Sequence, residues 1–199
     1  MIINAGTEQL KRIVELHKLS GVEGILGKID PAILLKNFYA PFIAKSNTTH
    51  LLVLSQDNLQ LEEGYLAYRS NIYTNRLRLP NIDVSIVINL IKIILHNPAV
   101  IVKIMLVYMS EIEINRKMKD LHEEYDEIQI LVVNKSMQNK GLGSELMKYI
   151  LNANSERNII VKTQSLNNLD FYSRFGFCLF NTSKMFKSRV YTMIRMAAN

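Results

Sequence analysis

Gln138-Asn139-Lys140-Gly141-Leu142-Gly143-Ser144 has the residue types and spacing to hold an anion. Its paired glycines let a backbone approach a ligand closely and take φ values closed to other residues. The segment follows a β-rich apolar run, Ile128 to Val133, too short for a helix of its own. It leads into Leu142, Leu146, Met147 and Ile150, apolar residues at helical spacing. Strand, glycine turn and helix in this order aim backbone N–H groups, and the positive end of a helix dipole, at one point. That geometry suits phosphate, and Lys140 adds a mobile positive charge. The spacing is neither a Walker loop nor a dinucleotide fingerprint, which need more glycines at other intervals. A tight strand-to-helix connection with no ligand is the plain alternative at this point.

A second set of residues offers proton chemistry. A charged run from Glu111 ends in Asp126 and Glu127 at the entry to the strand, where a carboxylate can act as a base. The run as a whole reads as a solvated linker or short helix. Downstream, Leu169, Phe171, Tyr172 and Phe175 fit a short amphipathic helix stopped by Gly176.

The elements that position these residues follow from pattern. Met1 to Asn4 reads as a short strand. Thr7 reads as the N-cap of a helix carrying Leu10, Ile13, Val14 and His17, with Gly21 as its stop. Asp30-Pro31 starts a second helix with Ile33, Leu34 and Phe38 on its apolar face. Thr49 to Leu54 and Leu61 to Arg69 form an antiparallel hairpin or meander. Tyr65, Tyr68 and Tyr73 either line a cleft there or pack on the sheet. Asn158 to Thr163 is a further strand; strand, helix and strand suggest a parallel pair with a right-handed crossover. Cys178 to Phe180 and Val190 to Met196 close the sheet as an antiparallel pair, with Asn181-Thr-Ser-Lys184 as a loop.

Residues 82–109 are apolar almost all round and break at His96-Asn97-Pro98. They read as two helices within an insertion of about 76–110. Three roles stay open: a cover for the sheet or a homodimer contact, a pocket wall or lid, or attachment to a membrane surface. Neither half reaches the roughly 18 uninterrupted apolar residues of a membrane span.

Composition narrows the class. The chain has 199 residues, 48% of them apolar, which suits one domain with a substantial core. A formal charge of +6 suits an anionic small ligand as well as a nucleic acid, but no dense basic block marks a nucleic-acid face, and no nucleic acid is expected as a partner. Cys178 is the only cysteine, so no intrachain disulfide or cysteine metal site is expected, and a reducing, cytoplasmic setting fits. His17, His50, His96 and His122 lack metal-ligand spacing, and no metal is expected. The N-terminus has no signal-peptide pattern.

Leu131-x-Val133, Gln138-x-x-Gly141-x-Gly143 and Phe171-Tyr172-x-x-Phe175-Gly176-Phe177, in this order and spacing, resemble the GNAT superfamily of acyl-CoA-dependent N-acyltransferases. The resemblance covers about residues 126–196; the first 125 match only in coarse element order. It implies an α/β (α+β) fold: a mixed, mostly antiparallel sheet flanked by helices, one domain over 1–199 with a helical insertion. It implies acetyl-CoA as acyl donor, with its pyrophosphate on the amides of Gln138, Asn139, Lys140, Gly141, Leu142, Gly143 and Ser144. Pantetheine would lie along Leu131, Val132 and Val133, and an N–H near Val133 would face the thioester carbonyl. Tyr172 stands at the family's position for stabilising or protonating the leaving thiolate, and Glu127 is the leading candidate base. Many relatives carry a cofactor-touching asparagine where this chain has Ser165; Asn167 or Asn168 would substitute. The activity implied is acetyl transfer to a primary amine of a small molecule such as an amino sugar. A protein or peptide N-acetyltransferase and a non-catalytic CoA-binding regulatory module are the alternatives.

Overall fold

A computed structural model describes residues 2–20, 49–55, 62–72, 124–185 and 188–197, with residues 35, 39, 91, 109, 112–114, 116 and 117. The described elements are β1 (Ile2–Asn4), α1 (Leu10–Leu19), β2 (Thr49–Ser55), β3 (Glu62–Ile72), β4 (Tyr125–Val133), a 3-10 turn (Lys135–Met137), α2 (Leu142–Ala153), β5 (Asn158–Thr163), α3 (Leu166–Ser173), β6 (Cys178–Met185) and β7 (Ser188–Arg195). The fold is mixed α/β, with seven described strands in a mostly antiparallel sheet flanked by helices. Contacts divide the chain into two compact units, 1–70 with 128–155, and 71–127 with 156–199. The expected second helix and the insertion fall almost wholly outside the described residues.

In the first unit the sheet order is β1-β2-β3-β4. The expected hairpin is present: β2 and β3 pair antiparallel from Thr49 opposite Arg69 to Leu54 opposite Gly64, with a register shift at Leu54/Ser55. Pleat alternation sends Val53, Tyr65 and Ala67 into one core with Leu10, Ile13, Val14 and Leu16 of α1 and with Val132 of β4. Burying such a side chain contributes about 1.5–3 kcal/mol each. α1 starts three residues after the expected cap at Thr7. Gln9 occupies the cap position, and its Oε1 instead accepts the Gly6 N–H at 2.8 Å. The Thr7 carbonyl takes the Leu10 N–H at 3.4 Å, so Thr7 closes a turn before the helix.

This core holds a polar knot. His17 Nδ1, Tyr39 Oη and Tyr65 Oη lie 2.7 Å from one another in all three pairings, and all three residues are fully buried. Tyr65 therefore packs inward rather than lining a cleft. A neutral imidazole nitrogen either holds a proton or offers one lone pair. Two of the three contacts can be full hydrogen bonds at once; the third shares a proton. His17 Nε2 has no hydrogen-bond partner. Burial lowers the His17 pKa and raises those of both tyrosines, so all three groups stay neutral at pH 7.

In the second unit the strands run in the order β5-β7-β6. β7 pairs antiparallel with both β5 and β6. Ile114, Tyr125, Ile160 and Ile194 form its core; residues 112–114 and 116–117 are helical, as one reading of the charged run allowed. The loop expected at Asn181-Thr-Ser-Lys184 is instead strand. A bulge between Leu179 and Asn181 advances the pleat, so Asn181 and Ser183 turn inward at 7% exposure each. Their polarity is met locally: Lys117 Nζ donates to Asn181 Oδ1 at 2.7 Å, and Asn181 Nδ2 donates to Ser183 Oγ at 3.1 Å.

The buried histidine sets a pH dependence. Its folded pKa is depressed, so its stabilisation is complete above the unfolded value of about 6.5 and is lost as pH falls below it. Thermal unfolding between pH 7.5 and 5 should show a falling midpoint, by up to about 1.4 kcal/mol per pH unit from this residue. In His17→Gln that part of the slope should be gone.

Candidate active site

β4 ends where Asn134 N–H donates to the Glu63 carbonyl at 2.7 Å. Asn134 then caps the 3-10 turn, its Oδ1 accepting from Ser136 N and Oγ at 3.2 and 3.1 Å. Gln138 folds back, its Nε2 donating to the Val133 carbonyl at 3.2 Å. The chain next passes through two left-handed residues, Asn139 at φ 63° and Gly141 at φ 86°. Asparagine tolerates that region and glycine has no side chain to oppose it. Gly141 is the cap of α2, and a Cβ built on it would meet nothing within 4 Å. It therefore faces open space.

The first helical bond of α2 is Glu145 N–H to the Gly141 carbonyl at 3.0 Å. The amides of Leu142, Gly143 and Ser144 precede it, and a helix offers these positions no acceptor. Leu146, Met147, Ile150 and Leu151 are buried and fix the helix against its unit. Gly141 is exposed, and residues 142–144 are partly so. The cradle is thus a positive helix end, open to solvent, on a strand-turn-helix support. Lys140 is exposed, with Nζ 3.2 Å from Met137 Sδ. Glu145, in the first turn, adds a negative charge there and partly opposes an anion.

Leu131, Val132, Val133 and residues 138–144 all lie in the first unit; Glu127, Asn167, Asn168 and Tyr172 lie in the second. Glu127 forms an ion pair with Lys162 at 3.0 Å, with side chains 15% and 19% exposed. Its Oε1 is thus already paired with an ammonium. Asp126 is deeper, at 1% side-chain exposure, and is gripped by Arg157 through Nε at 3.2 Å and Nη2 at 3.1 Å. The two-point fork makes Asp126 a structural anchor. Arg157 and Lys162 gave no signal in the sequence, because each lies some thirty residues from its carboxylate.

Asn168 Nδ2 donates to Thr163 Oγ1 at 3.0 Å, and the same oxygen accepts the Ser165 N–H at 3.2 Å. Thr163 thus ties the start of α3 to the end of β5. Asn167 is exposed. Tyr172 is 6% exposed and packs edge-on against Phe171 and Phe177, at centroid distances of 5.2 and 5.8 Å. Its carbonyl accepts the Phe175 N–H at 2.9 Å, and Gly176 turns the chain at φ 82°. Burial pushes the Tyr172 phenol up to about 12. It keeps its proton through neutral pH.

Arg157→Leu should lower stability by about 1–3 kcal/mol. That is less than the loss for a fully buried pair, because Arg157 is 33% exposed. Asp126→Asn/Arg157→Leu should recover part of it by removing the stranded charge, as chemical denaturation would show.

Among the described residues no helix is long and apolar enough to cross a membrane. The acetyltransferase (GNAT) domain family matches residues 106–178, which span β4, the cradle, β5, α3 and the Phe175-Gly176-Phe177 turn. No curated protein matches the chain. Solved structures with a similar fold include a histone acetyltransferase HPA2 and related acetyltransferase from Corynebacterium glutamicum, at 12% identity and TM-score 0.64, covering 100% of this chain and 97% of that one. The ribosomal-protein-S18-alanine N-acetyltransferase of Escherichia coli is 8% identical at TM-score 0.60, with coverage of 100% and 95%. Chaetomium thermophilum Naa20, solved with a bisubstrate analogue, is 11% identical at TM-score 0.56, with coverage of 99% and 86%. The structural likeness gives the fold, and the match at 106–178 makes that stretch similar to the acetyltransferase (GNAT) domain family.

Proposed function

We propose that this protein moves an acetyl group from acetyl-CoA to a primary amine, by direct attack through a tetrahedral intermediate. The observation that carries this reading is the cradle: a left-handed Gly141 followed by three amides that α2 cannot use. A pyrophosphate is the part of acetyl-CoA that such a helix end takes up. The backbone of 138–144 would hold it, with Lys140 at the rim and Asn167 or Asn168 as further contacts. Leu131, Val132 and Val133 would run beside the pantetheine.

The chemistry then divides among the chain's own groups. The amine nitrogen attacks the thioester carbon, a C–N bond forms, and the carbonyl oxygen becomes an oxyanion. The Val133 N–H is the fixed donor toward that oxygen. The amine proton goes to a base, for which Glu127, paired through Oε1 with Lys162, is the candidate. The C–S bond breaks and sulfur carries away the electron pair. Tyr172, with its pKa pushed up to about 12, holds its proton more tightly than an ordinary thiol near 8.5. Full transfer to the thiolate would be uphill by roughly 5 kcal/mol. Tyr172 therefore serves chiefly as a hydrogen-bond donor to the departing sulfur, and solvent completes its protonation.

The narrower reading of the acceptor is a small-molecule amine such as an amino sugar, with a peptide amine as its competitor. A reducing, cytoplasmic setting belongs to the same reading and is supported by the free Cys178.

Acetyl-CoA at 100 times its dissociation constant should stabilise the fold by about 2.7 kcal/mol, seen as a raised melting temperature. Gly141→Asp should weaken CoA binding about tenfold by placing a carboxylate in the cradle. No thermal shift at millimolar acetyl-CoA would sink the proposal. Thiol release across a panel of amino sugars, polyamines and peptides tests the acceptor; Tyr172→Phe should lower kcat about 10- to 100-fold on whichever amine reacts, with CoA affinity within about twofold.

A further inference from the structure

Gly64 lies in β3 at the point where β4 leaves the sheet. Its neighbour Glu63 supplies the carbonyl that accepts the Asn134 N–H at 2.7 Å, the tie just before the 3-10 turn. Gly64 itself faces Leu54 of β2, beside the Leu54/Ser55 register shift. A Cβ built on Gly64 would sit 2.9 Å from the Val132 carbonyl oxygen, closer than real Cβ atoms come to a neighbour. It would also lie 3.4 Å from Leu146 Cδ1 and 3.4 Å from Val133 Cγ2. The missing side chain is thus what lets β3 press against the end of β4.

The three neighbours do not yield equally. Leu146 Cδ1 and Val133 Cγ2 are ends of side chains that can give by a few tenths of an ångström. The Val132 oxygen is backbone and cannot rotate away. It shares one planar peptide unit with the Val133 N–H, so moving the oxygen moves that N–H. In an extended strand the two groups of a peptide unit point in opposite directions. A push on the carbonyl from β3 therefore shifts a donor on the other edge of β4.

We propose that Gly64 is a positioning residue for the acetyl-transfer step: it sets where the Val133 N–H stands against the thioester oxygen. This rests on the acetyl-CoA reading above. An oxyanion donor acts only within a narrow distance range, and misplacement near an ångström can cost a hundredfold in rate. The cradle is spared, because α2 meets the new atom only through the tip of Leu146.

The test is Gly64→Ala, with thiol release and CoA binding measured on both proteins. Leu52→Val, a core change on β2, serves as a control for general loss of stability. Expected for Gly64→Ala is a fall in kcat of about tenfold with CoA affinity within about twofold, while Leu52→Val lowers the melting temperature and leaves kcat unchanged. Unchanged kcat in Gly64→Ala overturns the proposal, as does an equal loss of kcat in the control. If Gly64→Ala does not fold, amide spectra of the wild-type protein decide. Acetyl-CoA, but not CoA, should shift the Gly64 and Val133 resonances together; a Gly64 signal blind to the acetyl group overturns the proposal. Failure of the acetyl-CoA reading itself looks different: the wild-type protein then neither binds acetyl-CoA nor releases thiol.

Discussion

An α-helix begins with amides that it cannot satisfy, and much of this protein follows from where one such set is aimed. The amides of Leu142, Gly143 and Ser144 stand ahead of the first helical bond of α2. Their direction is set from both sides. Behind them, Leu146, Met147, Ile150 and Leu151 lock the helix into its unit. Ahead of them, left-handed Asn139 and Gly141 swing the chain out of β4 and into the helix axis. The Glu63–Asn134 bond and the bare Cα of Gly64 hold the strand that feeds the turn.

The second unit handles charge differently. Asp126 is almost fully buried and is neutralised by a two-point contact with Arg157. Glu127, the next residue, points to the other face of the pleat and meets Lys162. Two adjacent carboxylates are thereby kept apart, each with its own cation. Desolvation makes an unpaired charge at either place costly, so the pairs explain how an acidic entry to a central strand is tolerated. Tyr172 is shielded by Phe171 and Phe177. Burial there strengthens the hold of the phenol on its proton.

What the sequence disclosed follows the range of the forces involved. The strand, turn and helix of 128–153 were legible because the glycines, and the apolar spacing that follows them, are local. β5 was legible to the residue, because Asn158–Thr163 is a short β-rich run between polar breaks. The resemblance to the GNAT family was legible from Leu131 to Phe177, within the 106–178 match. By contrast, Asn181 to Lys184 looked like a loop, because polarity alone was visible and the bulge that turns Asn181 inward was not. Thr7 looked like a cap until Gln9 took that place. The partners of Asp126 and Glu127, and the triangle of His17, Tyr39 and Tyr65, depend on contacts between distant segments. Gly64 was silent for a related reason: a glycine in a strand says nothing about the carbonyl it makes room for. The acceptor belongs with this second group, since a pocket is assembled from distant segments.

The bulge in β6 carries one more consequence. Beyond it the β6–β7 hairpin turns Asn181 and Ser183 inward and leaves Thr182 outside. Apolar burial weakens on cooling, whereas directional polar contacts do not depend on the ordering of water around hydrocarbon. The Lys117–Asn181–Ser183 chain therefore gives this end of the hairpin a hold that persists in the cold, when the cluster around Ile114 and Ile160 is losing its own.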